Sequence, residues 1–187
     1  MLTDEQIEQN KNEIINFLLS TGRNGIEKVI SFLCNSGYFY QWGSFRHHAY
    51  NGGLAEHSLE VMRYALDNCQ SSDNDSIIIS ALLHDICKVK YDFPEEMELV
   101  GHGTRSVTIL EKFLNLPLTY EEHNAIRFHM GRKKIFLQRN SDDVKRFKDA
   151  RKSELWELVH VGDAISAGRY PLKLHKLVRR IIRLINL

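Results

Sequence analysis

The chain has 187 residues, 43% of them hydrophobic and 26% charged, which fits one well-filled globular domain and excludes a disordered chain. The formal net charge of +1 excludes a global field that attracts nucleic acid or an anionic membrane, so any anion must bind at a local site. The polar N-terminus argues against a signal peptide, and no apolar run approaches the ~20 residues of a membrane span. The widely spaced Cys34, Cys69 and Cys87 predict free thiols and a cytoplasmic location.

Two helices and an aromatic segment are predicted at the start of the chain. The stretch from Thr3 to Gln6 has the form of a capping box, and apolar residues follow it at helical spacing. A turn over 21–25 separates this helix from a second one. The aromatic stretch 38–42 leads into a loop over 45–53, whose paired glycines permit a tight turn into the next helix.

The next two helices each carry side chains that can bind a metal. His57 lies at offsets of three and four residues from the apolar positions of its helix, so we expect it to point inward. The helix predicted over 77–88 is aliphatic until it reaches the adjacent His84 and Asp85, with Lys88 about one turn further on. An ionisable pair at the end of a buried helix is costly unless a metal or a network of partners compensates it.

The rest of the chain alternates between helices and polar loops. His129 and Asp163 each share the inner face of a predicted helix with apolar neighbours, and His102 lies at the end of a loop. No stretch alternates with period two and no repeat or interdomain linker is present, so we predict a single compact all-α domain. The remaining predicted elements are, in chain order, a loop over 91–103, helices over 104–114 and 119–130, a basic loop over 131–143, and helices over 153–168 and 171–187. The helix over 119–130 opens with a second capping box, from Thr119 to Glu122.

Side chains from several separate segments are candidates for one metal centre: His57, His84, Asp85, His102, His129 and Asp163. Each alone fits a hydrogen-bonded core residue better than a ligand, and His84 with Asp85 fits a simple hydrogen-bonded pair. Together they favour a metal, because burying so many polar groups without a shared partner is expensive. Imidazole and carboxylate ligands without thiolate suit iron, manganese, zinc, cobalt or nickel.

A resemblance to a known family rests on one ordered series of residues: His57, His84-Asp85 and Asp163. This series resembles the signature of the HD-domain superfamily of metal-dependent phosphohydrolases. The stretch from Phe45 to Leu59 is especially similar to the HD domain of bacterial 3′–5′ exoribonucleases. The resemblance implies a single helical HD domain in which the four residues of the series hold one divalent metal ion. It divides the chain into N-terminal helices over 1–44, a metal-binding core over 45–168 and a closing amphipathic helix over 171–187.

A second metal ion is implied only in part. Branches of the superfamily that hold two ions have further histidines, and His102 and His129 match two of those positions. In these branches Asp85 would bridge the ions. The branch most resembled often has a second histidine where Met130 stands, and a thioether is a poor ligand for hard divalent metals. We therefore expect one firm site and a labile second site.

The activity that the resemblance implies is metal-dependent hydrolysis of a phosphomonoester or phosphodiester. Asp85 would serve as a ligand and as the acceptor that orients the attacking water, while Lys88 would contact the phosphate and stabilise its charge. A lysine at a helix C-terminus also interacts with the macrodipole, so that alternative stays open for Lys88. Arg105, one turn from His102, is a further candidate for substrate binding.

The substrate expected is a nucleotide or another small phosphoester. The HD domain of the exoribonucleases follows an OB fold, and nothing in this sequence resembles one, so a polynucleotide is disfavoured. Two alternatives stay open: a catalytically silent HD module that binds a nucleotide or a partner and, less favoured, a di-iron oxygenase. The remaining histidines and basic groups are assigned to structure or surface: His47, His48, His123, His160, His175, the loop residues 132–134 and the helix over 171–187. Of these, His47 and His48 could reach the mouth of the pocket.

Overall fold

The computed structural model describes residues 1–94, 101–131 and 141–169. Within these ranges the regular elements are all helical, with no strand, which confirms the predicted all-α class. The α-helices are α1 (Asp4–Ser20), α2 (Ile26–Asn35), α3 (Gly53–Asn68), α4 (Asn74–Leu83), α5 (His102–Thr108), α6 (Tyr120–Phe128), α7 (Ser141–Ala150) and α8 (Glu154–Ser166). Two 3₁₀ turns lie at Tyr38–Tyr40 and Ile86–Lys88, and a π-helical turn lies at Ile109–Phe113.

Side-chain caps fix the start of several helices. At α1 the Thr3 hydroxyl accepts a bond from Gln6 N at 3.2 Å, while the Gln6 side chain accepts one from Thr3 N at 2.8 Å. Thr119 and Glu122 make the same reciprocal pair at α6, so both predicted capping boxes are confirmed. The Asp73 carboxylate caps α4 through a 3.0 Å bond from a backbone N–H of the first turn.

The central helix is α3, which packs against α1, α4 and α8. The residues of α4 are buried without a break from Ile77 to Leu83, so its apolar positions form a continuous run instead of a stripe. At Gly162, α8 comes so close to α3 that an added Cβ would lie 3.1 Å from Val61 Cγ1 and 3.2 Å from Val61 O. The three helices that carry His57, His84 and Asp163 are therefore packed side by side.

Some predicted helix boundaries were wrong. The helix predicted over 77–88 ends as an α-helix at Leu83, because Asp85 has φ −109° and ψ 16° and the chain continues as a 3₁₀ turn. This turn aims Asp85 and Lys88 differently from a regular helix. In addition, α5 begins at His102 instead of 104, and α6 ends at Phe128 instead of 130.

The sequence did not predict the helix α7. The loop predicted over 131–143 is wrong at its end, since α7 begins at Ser141. The first turn of α7 carries Asp142 and Asp143, which stabilise a helix N-terminus, and over 142–150 the buried residues are only Asp143, Phe147 and Ala150. So few apolar residues among many charges gave a weak periodic signal.

Two predicted segments lie outside the described residues: the basic stretch 132–134 and the closing helix over 171–187. Among the helices that the structure describes, none combines the length and the apolar character needed to cross a bilayer.

Candidate metal centre

The predicted ligands come together at one place in the bundle. His57 comes from the first half of α3, Asp163 from α8, and His102 from the first residue of α5. His84 and Asp85 directly follow α4, and His129 directly follows α6. All but His102, whose side chain is 22% exposed, are buried. Six side chains from five separate segments of the chain thus share one cluster, which is buried except at His102.

Asp85 lies at the middle of this cluster, and its two oxygens face different histidines. Oδ2 lies 3.6 Å from His57 Nε2 and 3.5 Å from His84 Nε2. Oδ1 lies 3.5 Å from His129 Nε2 and contacts His102 Nε2. The carboxylate is therefore placed between two sets of imidazoles, as a bridging ligand would be.

Backbone hydrogen bonds orient two of the imidazoles. His84 Nδ1 lies 2.8 Å from Ala81 O, and His129 Nδ1 lies 2.7 Å from Ile126 O. A carbonyl oxygen only accepts, so in each ring Nδ1 carries the proton and Nε2 keeps its lone pair. Both Nε2 atoms face the cluster, which is the tautomer that a metal ligand needs.

His57 and Asp163 are oriented by side chains. The Ser166 hydroxyl donates to Glu60 Oε2 at 2.6 Å, so its lone pair accepts from His57 Nδ1 at 2.7 Å. Asp163 Oδ1 lies 3.4 Å from His57 Nε2, and Asp163 Oδ2 accepts a 2.6 Å bond from Arg169. The lone pair of His57 Nε2 therefore also points into the cluster.

The Nε2 atoms that face the cluster show whether these residues can bind a metal ion. The Nε2 atoms of His57, His84 and His129 are buried and have no hydrogen-bond partner among the described residues. A buried polar atom without a partner costs about 1–3 kcal/mol. Three such lone pairs beside two carboxylates are the donor set that a divalent cation satisfies, so the residues fit a metal ion.

The charges at the centre follow from burial and proximity. Burial lowers the pKa of His84 to about 3, which keeps this imidazole neutral. Burial by itself would raise the pKa of Asp85, but the charged His102 beside it holds that pKa well below its usual value. For Asp163 burial is likewise outweighed, by the neighbouring His57, and its pKa is lowered. Burial opposes the charged form of His102, yet Asp85 raises its pKa to about 10.

Three overlapping groups of side chains have ligand atoms within 4.8 Å of one another. Two of them are buried and share His84: one is His57, His84 and Asp163, and the other is His84, Asp85 and His129. The third consists of His57 and the half-buried His47 and His48.

The two residues predicted to bind substrate lie in different surroundings. Lys88 Nζ lies 2.5 Å from Asp85 Oδ2, so the positive charge of Lys88 lies next to the buried cluster of candidate ligands. The Arg105 guanidinium lies 5.5 Å from the centroid of the Phe93 ring, and its Nε is buried without a partner among the described residues. Met130, half-buried, directly follows His129.

Other groups at the centre were missed or assigned elsewhere. His47 and His48, expected by default in a surface loop, have ring centroids 5.0 Å and 5.4 Å from that of His57. Burial lowers the pKa of His47 to about 4. The Cys87 thiol lies 3.3 Å from His102 Nδ1. Helical spacing could have indicated Glu60 and Ser166, three residues after a ligand, whereas the position of His47 depends on loop geometry.

Two of the histidines assigned to structure make contacts of that kind. His160 Nδ1 lies 2.5 Å from His129 O, and its ring stacks on Trp156 with centroids 4.7 Å apart. His123 Nδ1 lies 3.2 Å from Glu111 Oε1. His160 therefore supports the segment that carries a ligand.

Comparison with known proteins identifies the family. The family model described as HD domain matches residues 54–168, more than half of the chain. Neither the curated proteins nor the solved structures contain a significant match. The match includes His57, His84, Asp85 and Asp163, which the structure gathers into the buried cluster. The chain therefore belongs to the HD-domain family.

Proposed function

We propose that this protein is a metal-dependent phosphohydrolase that acts on a nucleotide or a similar small phosphoester. The observation that carries the proposal is the set of buried Nε2 lone pairs without partners, beside two carboxylates and the Lys88 ammonium. HD domains form a superfamily of metal-dependent phosphohydrolases, and the donor set of this chain is compatible with that chemistry.

The residues have distinct roles in this proposal. His57, His84, Asp85 and Asp163 would hold a firmly bound divalent iron, manganese, zinc, cobalt or nickel ion, and Asp85 with His102 and His129 would hold a labile second one. A bound ion supplies Lewis acidity and lowers the pKa of a coordinated water.

The chain's own residues would complete the reaction. Asp85 accepts a hydrogen bond from the attacking water, which fixes its direction. Lys88, next to Asp85, neutralises charge that develops on the phosphoryl oxygens. The buried cluster excludes bulk water, so these interactions act in a medium of low dielectric constant.

A small substrate is supported by the charge of the chain. The net charge of +1 provides little attraction for a long polyanion. We therefore favour mononucleotides and small phosphodiesters over polynucleotides.

Replacement of Asp85 by asparagine tests the proposed function. Asp85→Asn removes the charge that would bind a metal ion but keeps the size of the side chain. We expect the wild-type protein to copurify with a transition metal and to release phosphate or a nucleoside monophosphate from a substrate panel. We expect Asp85→Asn to lose the metal and at least ~100-fold in activity. Metal content by mass spectrometry and product release are the measurements.

The matched control is Asp4→Asn, which alters an exposed carboxylate in α1. Full activity of a metal-free Asp85→Asn protein would exclude the proposal. Saturable nucleotide binding without turnover under any divalent metal would favour the silent module, and oxygen consumption by the ferrous protein would favour an oxygenase.

A further inference from the structure

A pocket of about 480 Å³ opens beside the metal centre. This volume lies within the range of small-molecule sites, about 300–1,000 Å³. The lining combines aromatic rings, an amide and two lysines, and it includes Tyr40, Trp42, Phe45, Asn51, Lys88 and Lys90. None of these residues except Lys88 has a role in the function proposed above.

The aromatic side chains of this pocket are unusually exposed. Tyr40 is 56% exposed, Trp42 is 51% exposed and Phe45 is 95% exposed. Neighbouring exposed aromatic rings on a surface that is otherwise charged and polar are typical of a binding site. The rings offer flat apolar faces to a ligand.

The Trp42 indole is held in position before any ligand binds. Its Nε1 donates to Asn51 Oδ1 at 3.1 Å. The backbone next to it is tied to α3, because Leu54 N donates to Gln41 O at 3.0 Å. An ordered ring loses little freedom on binding, so it forms a stacking platform at low entropic cost.

Lys88 connects the pocket with the metal centre. It lines the pocket, while its Nζ lies 2.5 Å from Asp85 Oδ2 in the buried cluster. Lys90 adds a second positive charge to the lining. A ligand with a phosphate at Lys88 therefore has its adjoining part directed to the aromatic rings.

We infer that this pocket binds the nucleobase of a nucleotide whose phosphate lies at Lys88, with the base stacked on Trp42. Every nucleobase has a flat π-face, and stacking on aromatic side chains is a general way of binding bases with little sequence preference. A sugar phosphate has no such face and would leave Trp42 without a partner. For the position of the phosphate the inference rests on the proposed hydrolase function, whereas stacking of the base does not depend on turnover.

Tryptophan fluorescence provides the direct test, because the chain has two tryptophans and the other, Trp156, is buried. The Mn²⁺-supplemented protein is titrated with AMP, GMP, CMP, UMP, ribose 5-phosphate and inorganic phosphate. We expect saturable quenching by at least one nucleotide, with affinity about 10-fold or more above that of ribose 5-phosphate. Absence of saturable quenching by all four nucleotides would overturn the inference.

Variants test the same inference by calorimetry. Trp42→Ala is expected to reduce the preference for the nucleotide over ribose 5-phosphate about 10-fold, and Phe45→Ala, which alters an almost fully exposed ring, to reduce it in the same direction. The matched control is Tyr120→Ala, another exposed aromatic residue that does not line this pocket, and it should keep the preference. A preference that is the same in all three variants and in the wild type contradicts the inference.

The outcomes separate this inference from the proposed function. Quenching by nucleotides without hydrolysis under any metal supports the base pocket and contradicts the hydrolase. Equal hydrolysis of nucleotides and ribose 5-phosphate, with no effect of Trp42→Ala, supports the hydrolase and contradicts the base pocket.

Discussion

The Nδ1 atoms of the buried histidines control the chemistry at the residue scale. In His84 and His129 this atom donates to a carbonyl three residues earlier in the chain, and in His57 it donates to the Ser166 hydroxyl. Each bond fixes both the tautomer and the direction of the ring. The Nε2 lone pairs therefore point into the cluster without a bound metal ion.

The bond between Ser166 and His57 should contribute to metal affinity. Ser166→Ala removes the acceptor of the His57 Nδ1 proton, so the imidazole can rotate or adopt the wrong tautomer. We expect metal affinity to fall about 10-fold or more, with the fold retained, as measured by metal-competition titration and circular dichroism. The control is Ser153→Ala, at the residue that precedes the same helix, because the Ser153 hydroxyl has no hydrogen-bond partner in the described structure. Equal affinities of the two variants would contradict this role.

Lys88 is predicted to act on the substrate and not on the metal. Lys88→Met keeps the aliphatic part of the side chain and removes the charge that lies next to Asp85. We expect turnover to fall about 100-fold while the protein keeps its metal, because a charge that stabilises the transition state is lost. Steady-state kinetics and metal analysis measure the two effects. Lys152→Met, at a side chain that is 78% exposed, is the control. Normal turnover of the Lys88→Met variant would contradict a role in catalysis and favour the alternative, in which Lys88 interacts with the helix macrodipole.

At the element scale, the helices that supply ligands are fastened together near their ends. The Glu154 carboxylate in the first turn of α8 accepts 2.9 Å bonds from the backbone N–H groups of Gln70, Ser71 and Ser72. These residues form the connection between α3 and α4. One side chain thus links the three helices that carry His57, His84 and Asp163.

This link makes stability depend on pH. Burial acts to raise the pKa of Glu154, but the bonds from Ser71, Ser72 and Gln70 outweigh it and lower that pKa to about 2. An unfolded glutamate has a pKa of about 4.3, so the stabilisation is complete above pH ~4.3 and disappears as the pH falls towards ~2. Glu154→Gln should cost about 1 kcal/mol at pH 7, a figure discounted for solvent screening.

Thermal unfolding at several pH values measures this effect. The difference in Tm between wild type and Glu154→Gln should be largest near neutral pH and should shrink below pH ~4.3. The control is Glu121→Gln, at an exposed residue in the first turn of α6. A difference in Tm that grows on acidification would show that the link has another origin.

The same scale shows which elements a sequence can predict. The starts of α1 and α6 were predicted because capping boxes are local patterns. The end of α4 was not, since the break at Asp85 serves the cluster and no glycine or proline marks it. The helix α7 was missed because its few apolar residues are buried by contacts with distant parts of the chain, including the ring contacts of Phe147 with Phe128 and Trp156.

At the scale of the whole molecule, the convergence of the ligands could be predicted and the shape of the surrounding pocket could not. His57 and Asp163 lie on the inner faces of helices, so periodicity alone placed them in the core. Their pairing with His84 and Asp85 was predicted through the resemblance to the HD-domain family, to which the chain belongs. The exposure of Tyr40 and Trp42 could not be predicted, because it depends on the path of a loop.

Metal binding at the buried cluster can be tested by anomalous X-ray scattering from crystals grown with Mn²⁺ or Zn²⁺, which locates the metal independently of activity. We predict an anomalous peak within coordination distance, about 2.0–2.3 Å, of the Nε2 atoms of His57 and His84 and of the Asp85 and Asp163 carboxylates. A structure in which these side chains surround no metal at saturating concentrations, or in which the only peaks lie elsewhere on the protein, would contradict it.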